Sequence, residues 1–240
     1  MVFTFVLVGV MAFLRFVLGV FPAVAVCAVC VMGPLAVKAN EGGESITDSV
    51  AIEVTAEQLV GLLPDDRFLG REDAPVVIVE YASFSCAHCA DFATKVFPRL
   101  KSVYVDTGKV LYIYRDFPLD RLSLRAAMLG MCYKDNKSFF SYVKAVFSSF
   151  DTLIATYKDL GLLVNIAKIS NISDDEFKRC TTDDALMDRI VQQKFHAVNK
   201  LDVNATPVFF INGKRYESAH NFDSISEEIE REMVLKLAGQ

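Results

Sequence analysis

The sequence predicts an α/β fold in which a block of helices interrupts a sheet. Three observations predict it. Residues 76–81 (VVIVEY) and 110–114 (VLYIY) are β-branched and aromatic runs with a helical pattern between them. Apolar residues beyond 118 recur at three-to-four spacing, and residues 207–211 (PVFFI) return to a strand pattern.

Taken in order, residues 51–63 (AIEVTAEQLVGLL) alternate and then cluster their apolar groups. Thr55 and Gln58, three positions on, form a capping box for a short helix that Pro64 ends. Asp73-Ala74-Pro75 turns the chain into the first strand. From Cys86 to Val105, Phe92, Val96 and Leu100 fall on one helical face, and Gly108 stops that helix. Strand, helix, strand is a β-α-β unit, so the two strands are expected to be parallel with a right-handed crossover. After Phe117-Pro118, helices are expected at 123–133, 138–150, 153–163 and 183–201, separated by Asp, Asn and Ser clusters. Asn212-Gly213 is the strongest short hairpin signal, Lys214-Arg215-Tyr216 is the return strand, and a last amphipathic helix covers 222–237.

Composition narrows the function. The chain carries 25 basic and 30 acidic residues, a formal charge of −5, which disfavours a nucleic-acid partner because phosphate binding draws on clustered Lys and Arg. Residues 1–39 contain no acid and run uncharged from Phe16 to Val37, ending in Val37-Lys38-Ala39, whose small first and third residues suit a signal peptidase. They read as a signal peptide cleaved after Ala39, and a start at Met11 would give it Arg15 as a basic opening. The alternative is an uncleaved anchor in the inner membrane, against which Pro22 and Gly33-Pro34 interrupt the helix. Cys27 and Cys30 inside this segment count as small apolar residues. Charges at short intervals in the remaining chain exclude a multi-span membrane protein. Export places Cys86, Cys89, Cys132 and Cys180 in an oxidising compartment, the periplasm, where they can pair. Residues 40–68 form an extension with a small, polar start. Its apolar residues from Ile46 to Leu63 must pack on their own domain or on a second copy of the chain.

The chemistry concentrates at Cys86-Ala87-His88-Cys89. A C-x-x-C that follows a strand and opens a helix sets its first sulfur beside the unpaired N–H groups of the helix start, where partial positive charge favours a thiolate. The second sulfur, one turn on, can close a disulfide and release a trapped partner. His88 can donate to the thiolate or, protonated, pair with it. Glu80, on an apolar strand, is expected beneath the helix start as a proton acceptor for Cys89. A zinc site would need two further ligands at matched spacing, and the chain has only His88, His196 and His220, so no metal and no cofactor is expected. His196 falls mid-helix and reads as a core or surface imidazole. Cys132 and Cys180 are either buried thiols or one long-range disulfide, which an oxidising compartment favours.

Three runs resemble one family. Residues 76–92 (VVIVEYASFSCAHCADF), 112–119 (YIYRDFPL) and 205–213 (ATPVFFING) resemble, in this order, the active-site strand and helix, the next strand, and the cis-proline strand and hairpin of the DsbA family of exported thiol:disulfide oxidoreductases. The resemblance covers the chain from about Leu69 to its end and implies a thioredoxin-like fold with an inserted helical domain. Residues 69–119 and 201–240 would form the thioredoxin-like domain and 120–200 the insert. It further implies Cys86 as the attacking thiol, Cys89 as its redox partner, Glu80 as the buried acid and Pro207 as a cis-proline facing the pair. The backbone of Thr206 would then be open to an extended client strand. Cys132 and Cys180 resemble the second, structural disulfide of one branch. The partners implied are exported proteins with cysteines and a redox-recycling protein. Ala87-His88, where the best-known oxidases have Pro-His, and Thr206 before the proline are closer to isomerase and reductase-like relatives. The extension resembles those of oligomeric isomerases, so a homo-oligomer is an expectation as well. Two other readings use the same fold: a soft-metal binder through Cys86 and Cys89, and a chaperone-like holder with an apolar insert.

Overall fold

A computed structural model of the chain describes residues 55–239; the expected leader and the apolar residues 46–54 lie outside them. In chain order the elements are α1 (Ala56–Leu59), β1 (Arg67–Leu69), β2 (Val76–Ala82), α2 (Ala87–Asp91), α3 (Phe97–Leu100) and β3 (Val110–Asp116). A helical block follows: α4 (Arg121–Met131), α5 (Asn136–Ser148), α6 (Phe150–Ala155), α7 (Gly161–Ile169), α8 (Asp174–Thr182) and α9 (Asp184–Leu201). The chain ends with β4 (Val208–Ile211), β5 (Lys214–Tyr216) and α10 (Phe222–Ala238). Among these helices none is long and apolar enough to cross a membrane.

The strands form one sheet in the order β1-β3-β2-β4-β5. β2 and β3 are parallel, as the β-α-β reading requires, while β1 on β3, β4 on β2 and β5 on β4 are antiparallel. The hairpin from β4 to β5 turns on Asn212 and Gly213, both at positive φ (45° and 82°), the geometry for which Asn-Gly is selected. β1 is a three-residue edge strand without an alternating pattern, and it straddles the expected boundary at residue 68. On one face Ile78, Ala82, Tyr112, Tyr114 and Phe209 meet α2, α3, α5 and α10. On the other Val79, Tyr81, Leu111, Ile113 and Phe210 meet the end of α9 and residues 60–62. α9 serves both faces of the sheet, with Leu186 and Ile190 in the first core and Ala197 in the second.

The helix after Cys86 continues to Val105 with two π-helical turns, Phe92–Val96 and Lys101–Val105. Pro98 near the start of α3 has no N–H to give the preceding turn, and a widened turn is how the chain continues past it. α4 and α5 begin two residues before the expected starts because Asp120 and Asp135 cap them, each accepting the N–H of the third helical residue, Ser123 and Ser138. The helix expected at 153–163 is two helices: α6 ends at Ala155, residues 156–160 form a turn, and α7 starts after Leu160, which is left-handed (φ 56°), with Asp159 accepting the N–H of Gly161. Cys132, at the end of α4, and Cys180, in α8, form a disulfide across 48 residues.

One buried ion pair fastens the start of the described chain. Arg115, 1% exposed on β3, donates two hydrogen bonds to Asp66 at 2.8 and 2.6 Å and others to the carbonyls of Leu59 and Gly61 and the hydroxyl of Tyr81. Asp66 also accepts the N–H of Leu63 at 2.7 Å. Residues 55–66 therefore pack on their own domain, with the Thr55 capping box formed as expected.

Asp66→Ala leaves a buried guanidinium without its anion and is expected to destabilise the protein by about 3–5 kcal/mol, read from urea unfolding. Joining Cys132 to Cys180 closes a loop worth about 4 kcal/mol in the chain-entropy account, so the double Ser variant is expected to melt about 10 °C lower while the thiol chemistry of Cys86 persists.

Candidate active site

β2 delivers the chain to the site. Beyond Ala82 the turn Ser83-Phe84-Ser85 is held from below by Phe84, fully buried and stacked on Phe147 at 5.2 Å, and from the side by the Ser83 hydroxyl, which accepts the N–H of Leu119 at 3.3 Å. Cys86 follows as the cap of α2, in extended conformation, and its sulfur accepts the N–H of Cys89 at 3.3 Å. Across from it is the cis peptide Thr206-Pro207, with the Thr206 carbonyl 3.3 Å from Sγ. The carbonyl can accept only from the thiol. The Thr206 hydroxyl, buried and otherwise without a partner, is the group that can serve the anion.

The two sulfurs sit in opposite electrostatic settings. Hydrogen bonding from Cys89, helped by Thr206 and the backbone N–H groups of Cys89 and His88, outweighs burial and brings Cys86 from 9.0 down to about 5. Cys89 is fully buried; burial, then its hydrogen bond to Cys86 and the charge of Glu80, push its thiol far up. Glu80, 2% exposed, is pushed well above the carboxylate range by burial and then by the Cys86 charge. Tyr112 donates its hydroxyl to Glu80, and in register Glu80 stands opposite Tyr114 on one side and Phe209 on the other.

The structure thus brings together Cys86, Cys89, Glu80, Thr206 and Pro207. His88 is exposed and acts on the sulfur through its backbone N–H. Cys132 and Cys180 are joined within the insert, and His196 stands on α9 with a buried, unpartnered Nδ1. Among the described residues no cluster of His, Cys, Asp and Glu could hold a metal ion. Sequence reasoning missed His220, which packs on Phe209 at 4.9 Å and whose imidazole is held down by burial and then by the nearness of His88. It also missed Asp116, raised to about 7 by burial against the pull of Arg67. The signal for Asp116 was present as a carboxylate at the end of an apolar strand, two positions beyond Tyr114.

A low thiol at a helix start, a buried thiol one turn away and an acid beneath them suit thiol–disulfide exchange. A family model described as Thioredoxin matches residues 63–231. The chain is 39% identical to the crystal structure of alpha-DsbA1 from Wolbachia pipientis, over 77% of this chain and 99% of that one, with a TM-score of 0.73. A curated Rickettsia bellii relative named for protein-disulfide oxidoreductase is 31% identical over 167 residues, which is 70% of this chain and 64% of that one, so the chain spans less than two thirds of that relative. Disulfide bond formation protein D of Bacillus subtilis is 26% identical over 168 residues, 69% of this chain and 76% of that protein. With its fold, its cysteine pair and these matches, the chain belongs to the thioredoxin family, and within it to the DsbA proteins.

Proposed function

We propose that this protein is an exported thiol:disulfide oxidoreductase that works in the periplasm and passes the Cys86–Cys89 disulfide to cysteine pairs of other exported proteins. The observation that carries the reading is the opposition of the two sulfurs, Cys86 lowered to about 5 at the helix start and Cys89 sealed and raised behind it. A client thiolate attacks Cys86 Sγ, the Cys86–Cys89 bond breaks, and Cys89 leaves with the electron pair and takes the Glu80 proton. A second client thiolate then attacks the client sulfur of the mixed disulfide, which expels Cys86 as the thiolate its surroundings favour. The backbone of Thr206 beside Pro207 is the edge on which an extended client strand would lie.

Direction follows from the same electrostatics. A site that stabilises its reduced anion is a strong oxidant, so the balance tips toward disulfide formation. A recycling partner must then reoxidise Cys86 and Cys89. The uncharged stretch from Phe16 to Val37 supports export. Residues 55–66 are committed to their own domain, which counts against their use in self-association.

With the chain from Asn40, oxidative refolding of reduced ribonuclease should proceed and Cys86→Ser should abolish it; refolding at the full rate by the variant would overturn the assignment. The reduction potential should lie toward about −120 mV, the value known for the strong oxidant DsbA, and away from the −270 mV of thioredoxin. Because Cys86 titrates near 5 when folded and near 9.0 otherwise, the anion stabilises the reduced protein fully above pH 9 and this gain is lost as pH falls from 9 to 5. The excess stability of reduced over oxidised protein should shrink over that window in paired urea titrations. Alkylation at pH 6 should label Cys86 and spare Cys89.

A further inference from the structure

Away from the dithiol, a cleft of about 600 Å³ opens where α3 and the turns around it meet α5 of the insert. Its walls come from both parts of the fold. Leu69 at the end of β1, Ala93 and Phe97 on one helix and Phe140 on the other give it an apolar lining, each only partly covered by the core it packs against. Phe97 and Phe140 stack at 20° with centroids 6.5 Å apart, and Phe97 rests on Tyr112 at 4.3 Å, so the floor has fixed aromatic support. A concavity of this size with such a lining falls in the range of small-molecule sites.

The rim is basic. α5 places Lys137 and Lys144 two turns apart with Phe140 and Ser141 between them, and Lys101 stands on the opposite wall. The three lysines are not equivalent. Asp106, the single carboxylate in the lining, pairs with Lys101 and donates its N–H to the Lys101 carbonyl at 2.8 Å, closing the second π-helical turn. Pro98 accounts for the first such turn; the second contains no proline, and widened turns of this kind recur at functional sites. Lys137 and Lys144 are exposed, and among the described residues neither forms an ion pair, Asp135 only feeling the charge of Lys137. Three ammonium groups against one carboxylate leave the mouth positive, and the excess sits on α5.

An apolar floor under a cationic rim is the complement of a chain with an anionic end. We propose that this cleft binds one single-chain amphiphile, a long-chain carboxylate, with its tail on Phe97 and Phe140 and its head between Lys137 and Lys144. A free chain suits it better than a bilayer, because the apolar residues lie inside a concavity that a flat lipid surface does not enter. The tail supplies most of the affinity, since each methylene removed from water strengthens binding about fourfold. The head adds less at an exposed, screened rim, and its part is to select an anion over a cation. Neither Cys86 nor Thr206 lines the cleft, so the site can be filled while the thiols work.

The test is calorimetric titration of the chain from Asn40 with decanoate and dodecanoate below their micelle concentrations, beside dodecyltrimethylammonium and vesicles of phosphatidylglycerol. One dodecanoate should bind per chain, about tenfold or more tightly than decanoate, and the cation of equal length should bind at least about tenfold more weakly than dodecanoate. Lys137→Glu combined with Lys144→Glu reverses the rim at two exposed positions and should weaken dodecanoate binding about tenfold or more. Ser141→Trp narrows the mouth without changing charge, should weaken it as strongly, and carries the test should the double variant fold poorly. Alkylation of Cys86 should proceed at the same rate in every variant, which separates this site from the proposed exchange chemistry. Absence of saturable binding, equal affinity for the cation, or full affinity in both variants would overturn the site. Vesicle binding that these variants abolish, with no binding of dodecanoate, would make this face a membrane contact and overturn it as well.

Discussion

The position of β2 between a parallel and an antiparallel neighbour is the constraint on which the rest of the site depends. Pairing with β3 fixes Glu80 opposite Tyr114, pairing with β4 fixes it opposite Phe209, and the strand's end sets where the helix of Cys86 begins. A slip of one residue would turn Glu80 to the other face and replace it with Val79 or Tyr81. The acid beneath the cysteines, the thiolate at the helix start and the Thr206 carbonyl opposite are thus three results of one register. Phe84, wedged among Tyr114, Tyr142 and Phe147, secures the turn between strand and helix and ties the site to the insert.

The two faces of this sheet treat buried charge in opposite ways. On one, Arg115 has a partner for each of its nitrogens, and Asp66 receives two of its bonds and a backbone N–H besides. Such a saturated pair is tolerable in a core and fastens chain to chain. On the other, Glu80 and Asp116 are buried with few donors and are driven toward their neutral forms. A carboxyl kept neutral near neutral pH can give up a proton and take it back, whereas one locked to a guanidinium cannot. Fixed charge on one side and exchangeable charge on the other are both drawn from β3, in adjacent residues Arg115 and Asp116.

Most of the fold was legible because its signals are local. The 76–81 and 110–114 runs, the Asn212-Gly213 turn and the cysteines at a strand-to-helix junction each carry their meaning within a few residues. What was not legible depends on pairing across the chain. β1 has three residues with no alternation and exists because β3 offers an open edge. Tyr112 and Tyr114 look like ordinary strand core until the register sets them around Glu80. His220 lies far along the chain from His88, and it is the packing on Phe209 and Tyr216 that places it. The break over residues 156–160 was hidden because apolar residues recur on both sides of it, while the left-handed turn at Leu160 leaves no mark in the spacing.

The disulfide between Cys132 and Cys180 sets a condition on the protein's own birth. The insert that frames the active site is complete only after two of its thiols have lost their electrons to something outside them. Until that bond forms, α4 and α8 are held together by packing alone, so the insert of a newly made chain opens more readily than that of the finished protein.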